Sequence, residues 1–138
     1  MRTVIITFAA AALLSPGAAL LPATSARADP AEHTGQATQN DFTHGEVACG
    51  GRYNGADFVV RISSADWDAA AHCGEQMSIT DPADGKSLVA TVVDVCERCG
   101  TGDLELTPGL FQALFNTADT TVPVSWTYVT GRRVPAAL

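Results

Sequence analysis

Hydrophobic and polar residues alternate with a period of two over much of the chain. Phe58, Val60 and Ile62 fall on one side of an extended segment, with Val59, Arg61 and Ser63 on the other, and Met77 and Ile79 alternate with polar neighbours. Each pattern predicts a strand with one buried face. Leu88 to Val93 is apolar on both sides, as expected for a strand in the middle of a closed or covered sheet. The turn-forming run Asp81-Pro82-Ala83-Asp84-Gly85-Lys86 predicts a hairpin leading into it. Val122, Val124, Trp126 and Tyr128 occupy alternate positions and predict a last strand with four large side chains on one face. Two short helices are expected. Ser64 to Ala70 begins with a capping residue, and Thr107-Pro108 supplies an N-cap and a first-turn proline before Leu110, Phe111, Leu114 and Phe115 at helical spacing. Short strands, two small helices and no βαβ rhythm point to a mainly β fold, a small barrel of about six strands.

The first residues change where this fold begins. An apolar run from Val4 to Leu14 follows Arg2, and a small-residue stretch ends in Ala26-Arg27-Ala28, the layout of a cleaved secretory signal. Residues 1–28 are therefore expected to be removed, leaving a secreted protein with no membrane segment. Residues 29–34 and 131–138 lack periodicity and are expected to be loose, which leaves 35–130 as one domain. Without Arg2 and Arg27, 6 basic residues face 15 acidic ones, a formal charge of −9, and Arg132-Arg133 is the one basic pair. That balance argues against nucleic acid or an anionic glycan as partner.

All four cysteines, Cys49, Cys73, Cys96 and Cys99, lie beyond the signal. An even number in a small exported domain reads as disulfides, and three pairings are open. Cys96-Glu97-Arg98-Cys99 also has metal-ligand spacing, with His72-Cys73 available to complete a zinc site. An oxidising compartment favours bridges, so neither metal nor cofactor is expected.

The order Ala48-Cys49-Gly50, Cys73-Gly74, Gly85-Lys86-Ser87, Val92-Val93-Asp94-Val95-Cys96, Cys99, Asp103-Leu104-Glu105-Leu106-Thr107-Pro108 and Val124-Ser125-Trp126 resembles a six-stranded double-psi β-barrel. This is the group of rare lipoprotein A, expansin domain one and barwin, and the chain is most similar to the secreted bacterial papain-inhibitor-like proteins. The resemblance runs from about Gly35 to Val129. It implies the bridges Cys49–Cys96 and Cys73–Cys99.

It also implies a groove. An acid at the end of the Val-Val-Asp strand maps to Asp94, a second to Glu105, and a groove threonine to Thr38. Two carboxyl groups are the equipment of a glycosidase, but Glu105 stands where the family has a shorter acid, which alters the separation that such chemistry requires. The histidine used by lytic transglycosylases of this group falls near Asp68, so His72 is out of register, and His33 and His44 accompany no nucleophile motif. No catalytic residue is assigned. Gln39-Asn40 replaces the aromatic residues that follow the threonine in expansins. The reading is a monomeric, non-enzymatic protein that binds and inhibits an extracellular papain-type protease through a rigid loop after Cys49, with Arg52, Tyr53 and Asn54 as candidate contacts. The alternative is expansin-like binding or loosening of a cell-wall polysaccharide (cellulose, chitin or peptidoglycan) through Thr38, Asp94 and Glu105.

Overall fold

The computed structural model describes residues 17–22 and 30–137; the rest of the expected signal lies outside the described residues. Six strands form a closed barrel: β1 (His33–Gln39), β2 (Val59–Ser63), β3 (Glu75–Thr80), β4 (Ser87–Cys96), β5 (Leu104–Leu106) and β6 (Thr121–Arg133). Around the barrel they run β1-β5-β2-β4-β3-β6, and β6 closes onto β1. The pairs β1/β5 and β2/β4 are parallel, and the other four are antiparallel. This is the mainly β, double-psi barrel that the ordered motifs resemble.

Alternation along the strands fills the interior. Val60 and Ile62, Met77 and Ile79, Ala90 and Val92, and Val124 and Trp126 point inward and are buried. The helix α1 (Pro108–Leu114) contributes Leu110, Phe111 and Leu114 to the same core. Fully burying each large aliphatic side chain contributes roughly 1.5–3 kcal/mol. A second cluster, Val47, Val59 and Val93 under Phe42 and Tyr53, covers the outside of β2 and β4, which is why these strands are apolar on both faces. The β3–β4 hairpin forms where expected, with the Asp81 N–H donating to the Lys86 carbonyl at 2.8 Å.

Several expectations need correction. Ser64 to Ala70 is not a right-handed helix: Asp68, Ala69 and Ala70 form a single turn with φ of 45°, 49° and 69°. None of that turn is buried, so no apolar stripe holds it helical, and the side chains upstream are otherwise engaged. Ser63 Oγ donates to Asp66 Oδ2 at 2.6 Å, and the same oxygen accepts the Gly102 N–H at 2.8 Å. Thr107 stands at the N-cap of α1, but its hydroxyl donates to the Asp57 carbonyl instead of capping the helix.

Parts of both ends, from His33 onward and as far as Ala137, are held by contacts. The His33 ring, in β1, stacks on Trp126 at 3.9 Å between centroids. β6 runs on to Arg133, after which Val134 N–H donates to the Gly74 carbonyl at 2.7 Å and Ala137 N–H to Tyr53 Oη at 3.1 Å. Backbone hydrogen bonding holds this tail where sequence periodicity gives no sign of it.

The disulfide pairing also differs from the one the resemblance implied. The bridges are Cys49–Cys73 and Cys96–Cys99, with sequence separations of 24 and 3. Parallel pairing of β2 with β4 sets Cys96 beside Ser63, and the following turn brings Cys99 back to it. In the chain-entropy account such loops stabilise by about 3.5 and about 2 kcal/mol.

Candidate functional site

Strand register builds a polar row on the outer face of the barrel. Thr121 in β6 opposes Thr38 in β1, Thr38 opposes Glu105 in β5, Glu105 opposes Arg61 in β2, and Arg61 opposes Asp94 in β4. Leu104 and Leu106 point inward, so the residue between them must face out. Asp94 needs an extra device, because Val92 already points inward and simple alternation would return Asp94 to the core. Val60 pairs with Val92 and Arg61 with Asp94, so Val93 is skipped. The bulge turns Asp94 to the same side as Arg61.

Arg61 organises the row. Its Nε donates to Asp94 Oδ2 at 2.8 Å and its Nη1 to Glu105 Oε2 at 3.0 Å. The second oxygen of each acid is also used: Ala48 N–H donates to Asp94 Oδ1 at 3.0 Å and Asn40 Nδ2 to Glu105 Oε1 at 3.2 Å. The Phe42 ring lies 5.0 Å from the guanidinium carbon, within cation–π range. The Arg61 side chain is 27 % exposed and each acid 10 %, so the triad is largely desolvated. Burial pulls the Arg61 pKa down, but hydrogen bonds to Asp94 and Glu105 and their charges outweigh it, and the net shift is upward.

At one end of the row Val95, Cys96, Glu97 and Arg98 join Arg61, Asp94 and Glu105 around a cleft of about 370 Å³. At the other, the Thr38 and Thr121 hydroxyls are 3.1 Å apart. The structure thus brings together Thr38, Asp94 and Glu105. It adds Arg61 and Phe42, which the sequence reading did not single out, and Asn40, which that reading named only as standing in place of an aromatic residue. Arg61 had a visible signal, as the charged residue in Val-Val-Arg-Ile-Ser, but its partners are 33 and 44 residues away and only the topology joins them.

A glycosidase holds one carboxyl group as proton donor and the other as base or nucleophile. Here one guanidinium is bound to both acids.

The loop after Cys49 has a different character. Tyr53 packs on Val47, Val59 and Val93, and its hydroxyl accepts the Ala137 N–H, so it is engaged within the protein. Asn54 is a turn residue whose Oδ1 accepts the Ala56 N–H at 2.9 Å. Arg52 is exposed, while its N–H donates to the Ala137 carbonyl at 3.3 Å. Nor do the four zinc ligands meet: Cys73 is bonded to Cys49, and the His72 ring is stacked on Tyr128 at 4.5 Å.

No family model matches the chain. Among curated proteins it is 34% identical over 100 residues to putative ripening-related protein 6 of Oryza sativa subsp. japonica, a match covering 64% of this chain and 60% of the relative. Among solved structures it is similar to an Asp-to-Asn mutant of Clavibacter michiganensis expansin in complex with cellohexaose. That pair has a TM-score of 0.66 and 26% identity, over 76% of this chain and 54% of the expansin. It is also similar to Streptomyces papain inhibitor, with TM-score 0.62 and 21% identity over 72% of this chain and 94% of the inhibitor. Cerato-platanin 3 from M. perniciosa shares the fold at TM-score 0.54 and 20% identity, over 70% of this chain and 93% of that one. The chain is a double-psi β-barrel of the kind these proteins share. It spans about three-fifths of the ripening-related protein and about half of the expansin.

Proposed function

We propose that this is an exported, non-hydrolytic protein that binds an extended cell-wall polysaccharide along the polar row of its barrel. The observation that carries the reading is the alignment of Thr38, Glu105, Arg61 and Asp94 across four adjacent strands, with Phe42 against the guanidinium. Such a row offers hydroxyl, carboxylate and guanidinium groups at successive strand spacings of about 4.8 Å, matching the hydroxyl-rich edge of a sugar chain. The expansin solved with cellohexaose supports it. Two disulfides and the leader-like first residues support export. Polysaccharide precedes protease here because Tyr53, the anchor expected for an inhibitory loop, spends its ring and hydroxyl internally.

A second reading, inhibition of a papain-type protease, is favoured by one observation. The chain matches 94% of the length of Streptomyces papain inhibitor, and the loop after Cys49 is braced by a disulfide and the tail. Two assays separate the readings. Pull-down on cellulose, chitin and peptidoglycan is expected to retain the protein, and Arg61→Met to weaken retention. Titration of papain with the oxidised protein is expected to leave the protease active. Inhibition at micromolar excess together with no retention on any polymer refutes the polysaccharide reading.

A further inference from the structure

We propose that the cleft over the Cys49–Cys73 bridge docks an extended peptide of a partner protein, one that carries a bulky apolar side chain, and that this chain's own C-terminal tail occupies the site in its absence. The cleft shares no lining residue with that of the polar row, so the inference is independent of what the row binds. What marks it is a peptide already seated there by main-chain groups at both ends. The Val134 N–H donates to the Gly74 carbonyl at 2.7 Å, the Arg52 N–H to the Ala137 carbonyl at 3.3 Å and the Ala137 N–H to Tyr53 Oη at 3.1 Å. Two glycines make room for it. A Cβ on Gly51 would sit 2.2 Å from the Ala137 carbonyl oxygen and one on Gly74 2.5 Å from that of Val134, so the seated backbone lies where another residue would place its side chain. Main-chain hydrogen bonds of this kind supply affinity for an extended peptide, and the pockets beneath it choose its side chains.

The tail fits the two ends of this cleft and does not fill its middle. A cavity of about 390 Å³ lies between Val134, Pro135 and Ala136 on one side and the disulfide, Tyr53 and Val93 on the other, with no charged residue in its lining. The roofing residues bury little: Val134 is 41 % exposed, and Pro135 and Ala136 are exposed as well. Few apolar contacts therefore hold the tail, which places it among the segments that open and reclose without unfolding of the whole domain. A peptide presenting leucine to the cavity makes the same main-chain bonds and buries that side chain too. The burial is worth roughly 10- to 100-fold in affinity over a peptide of small residues, so such a partner displaces the tail.

The test uses the full oxidised protein and short fluorescein-labelled peptides, with fluorescence anisotropy as the readout. One peptide has the chain's own ending, Arg-Val-Pro-Ala-Ala-Leu, and the others carry leucine in turn in place of its valine, its proline and its first alanine, the positions that roof the cavity. At least one leucine peptide is expected to bind roughly 10- to 100-fold more tightly than the own-tail peptide. Hydrogen–deuterium exchange on the same mixture should show the Val134 and Ala137 amides losing protection as that peptide saturates, while the amides of β3 and β4 keep theirs. No anisotropy change at millimolar peptide overturns the proposal. Binding that leaves the tail amides protected also overturns it, because the peptide then sits elsewhere. Equal affinity for all the peptides does the same, and assigns the cleft to the tail of a second copy of this chain.

Discussion

Replacing Arg61 by Met tests the triad most directly. The substitution keeps an aliphatic stem beneath Phe42 and removes the cation that serves both Asp94 and Glu105. Two carboxylates, each 10 % exposed, are then left without their shared partner. Removing one member of a buried ion pair costs roughly 3–5 kcal/mol. The guanidinium keeps about a quarter of its surface in water, 27 % by side chain, which places this case at the lower end. A loss of about 3 kcal/mol is expected, a large share of the roughly 5–15 kcal/mol that holds a domain of this kind. Urea unfolding followed by tryptophan fluorescence should show the midpoint falling by about 1–3 M at unchanged slope. The triple variant Arg61→Met/Asp94→Asn/Glu105→Gln removes the stranded charges and should recover most of the loss, since replacing all members of a buried ionic group is often near neutral. A single variant within about 0.5 kcal/mol of wild type, the usual range for surface changes, would show that the guanidinium is not the group that lets the acids sit in the groove. A triple variant as unstable as the single would do the same.

Three further predictions follow from local geometry. The Tyr128 hydroxyl is buried with no hydrogen-bond partner among the described residues, so Tyr128→Phe should stabilise by about 1 kcal/mol in the same urea assay. Burial, then the charges of Glu75 and Asp66, push the Tyr128 phenol well above its ordinary range. The folded state therefore keeps this proton after the unfolded chain begins to release it, and stability is full below and lost above about pH 10. Tyr128→Phe should flatten that alkaline loss, and an equal slope in both proteins would count against the buried phenol. Ala69 has a φ of 49°, where glycine is unstrained, so Ala69→Gly should raise thermal stability by about 1 kcal/mol, and a lower Tm would refute the left-handed turn. A Cβ on Gly102 would sit 2.2 Å from the Thr34 carbonyl oxygen, and Gly102 has a φ of 84°. Gly102→Ala should thus force β1 away from the turn, strain the bond from Trp126 Nε1 to the Gly102 carbonyl, and lower the Tm by several degrees.

Strands whose inward residues alternate were legible because period-two burial is a local signal. Val124 and Trp126 in β6 and Met77 and Ile79 in β3 are buried as their spacing predicts. Pro108 likewise begins a helix, since its fixed φ suits the first turn. What escaped was non-local. The chain from Ser64 to Ala70 reads as helical, yet it must come around so that Cys73 meets Cys49, and a long-range closure overrides weak local propensity. The bridges were misjudged because the pairing was carried over from the resemblance, whereas Cys96–Cys99 closes a local turn and Cys49–Cys73 joins two turns outside the strands. Thr38, Asp94 and Glu105 were found by resemblance, whereas Arg61, the residue that neutralises two of them, meets its partners only when the barrel closes.

The bulge at Val93 makes the groove's electrostatics a matter of counting. The way β4 accommodates one residue more than its neighbour β2 sets whether the carboxylate downstream meets a guanidinium or a wall of valine and isoleucine. Pairing Val93 in regular register instead of skipping it would rotate Asp94 toward the interior, leave Arg61 with half its counter-charge, and lodge an anion in the barrel. Register, as much as composition, is therefore what this strand must preserve.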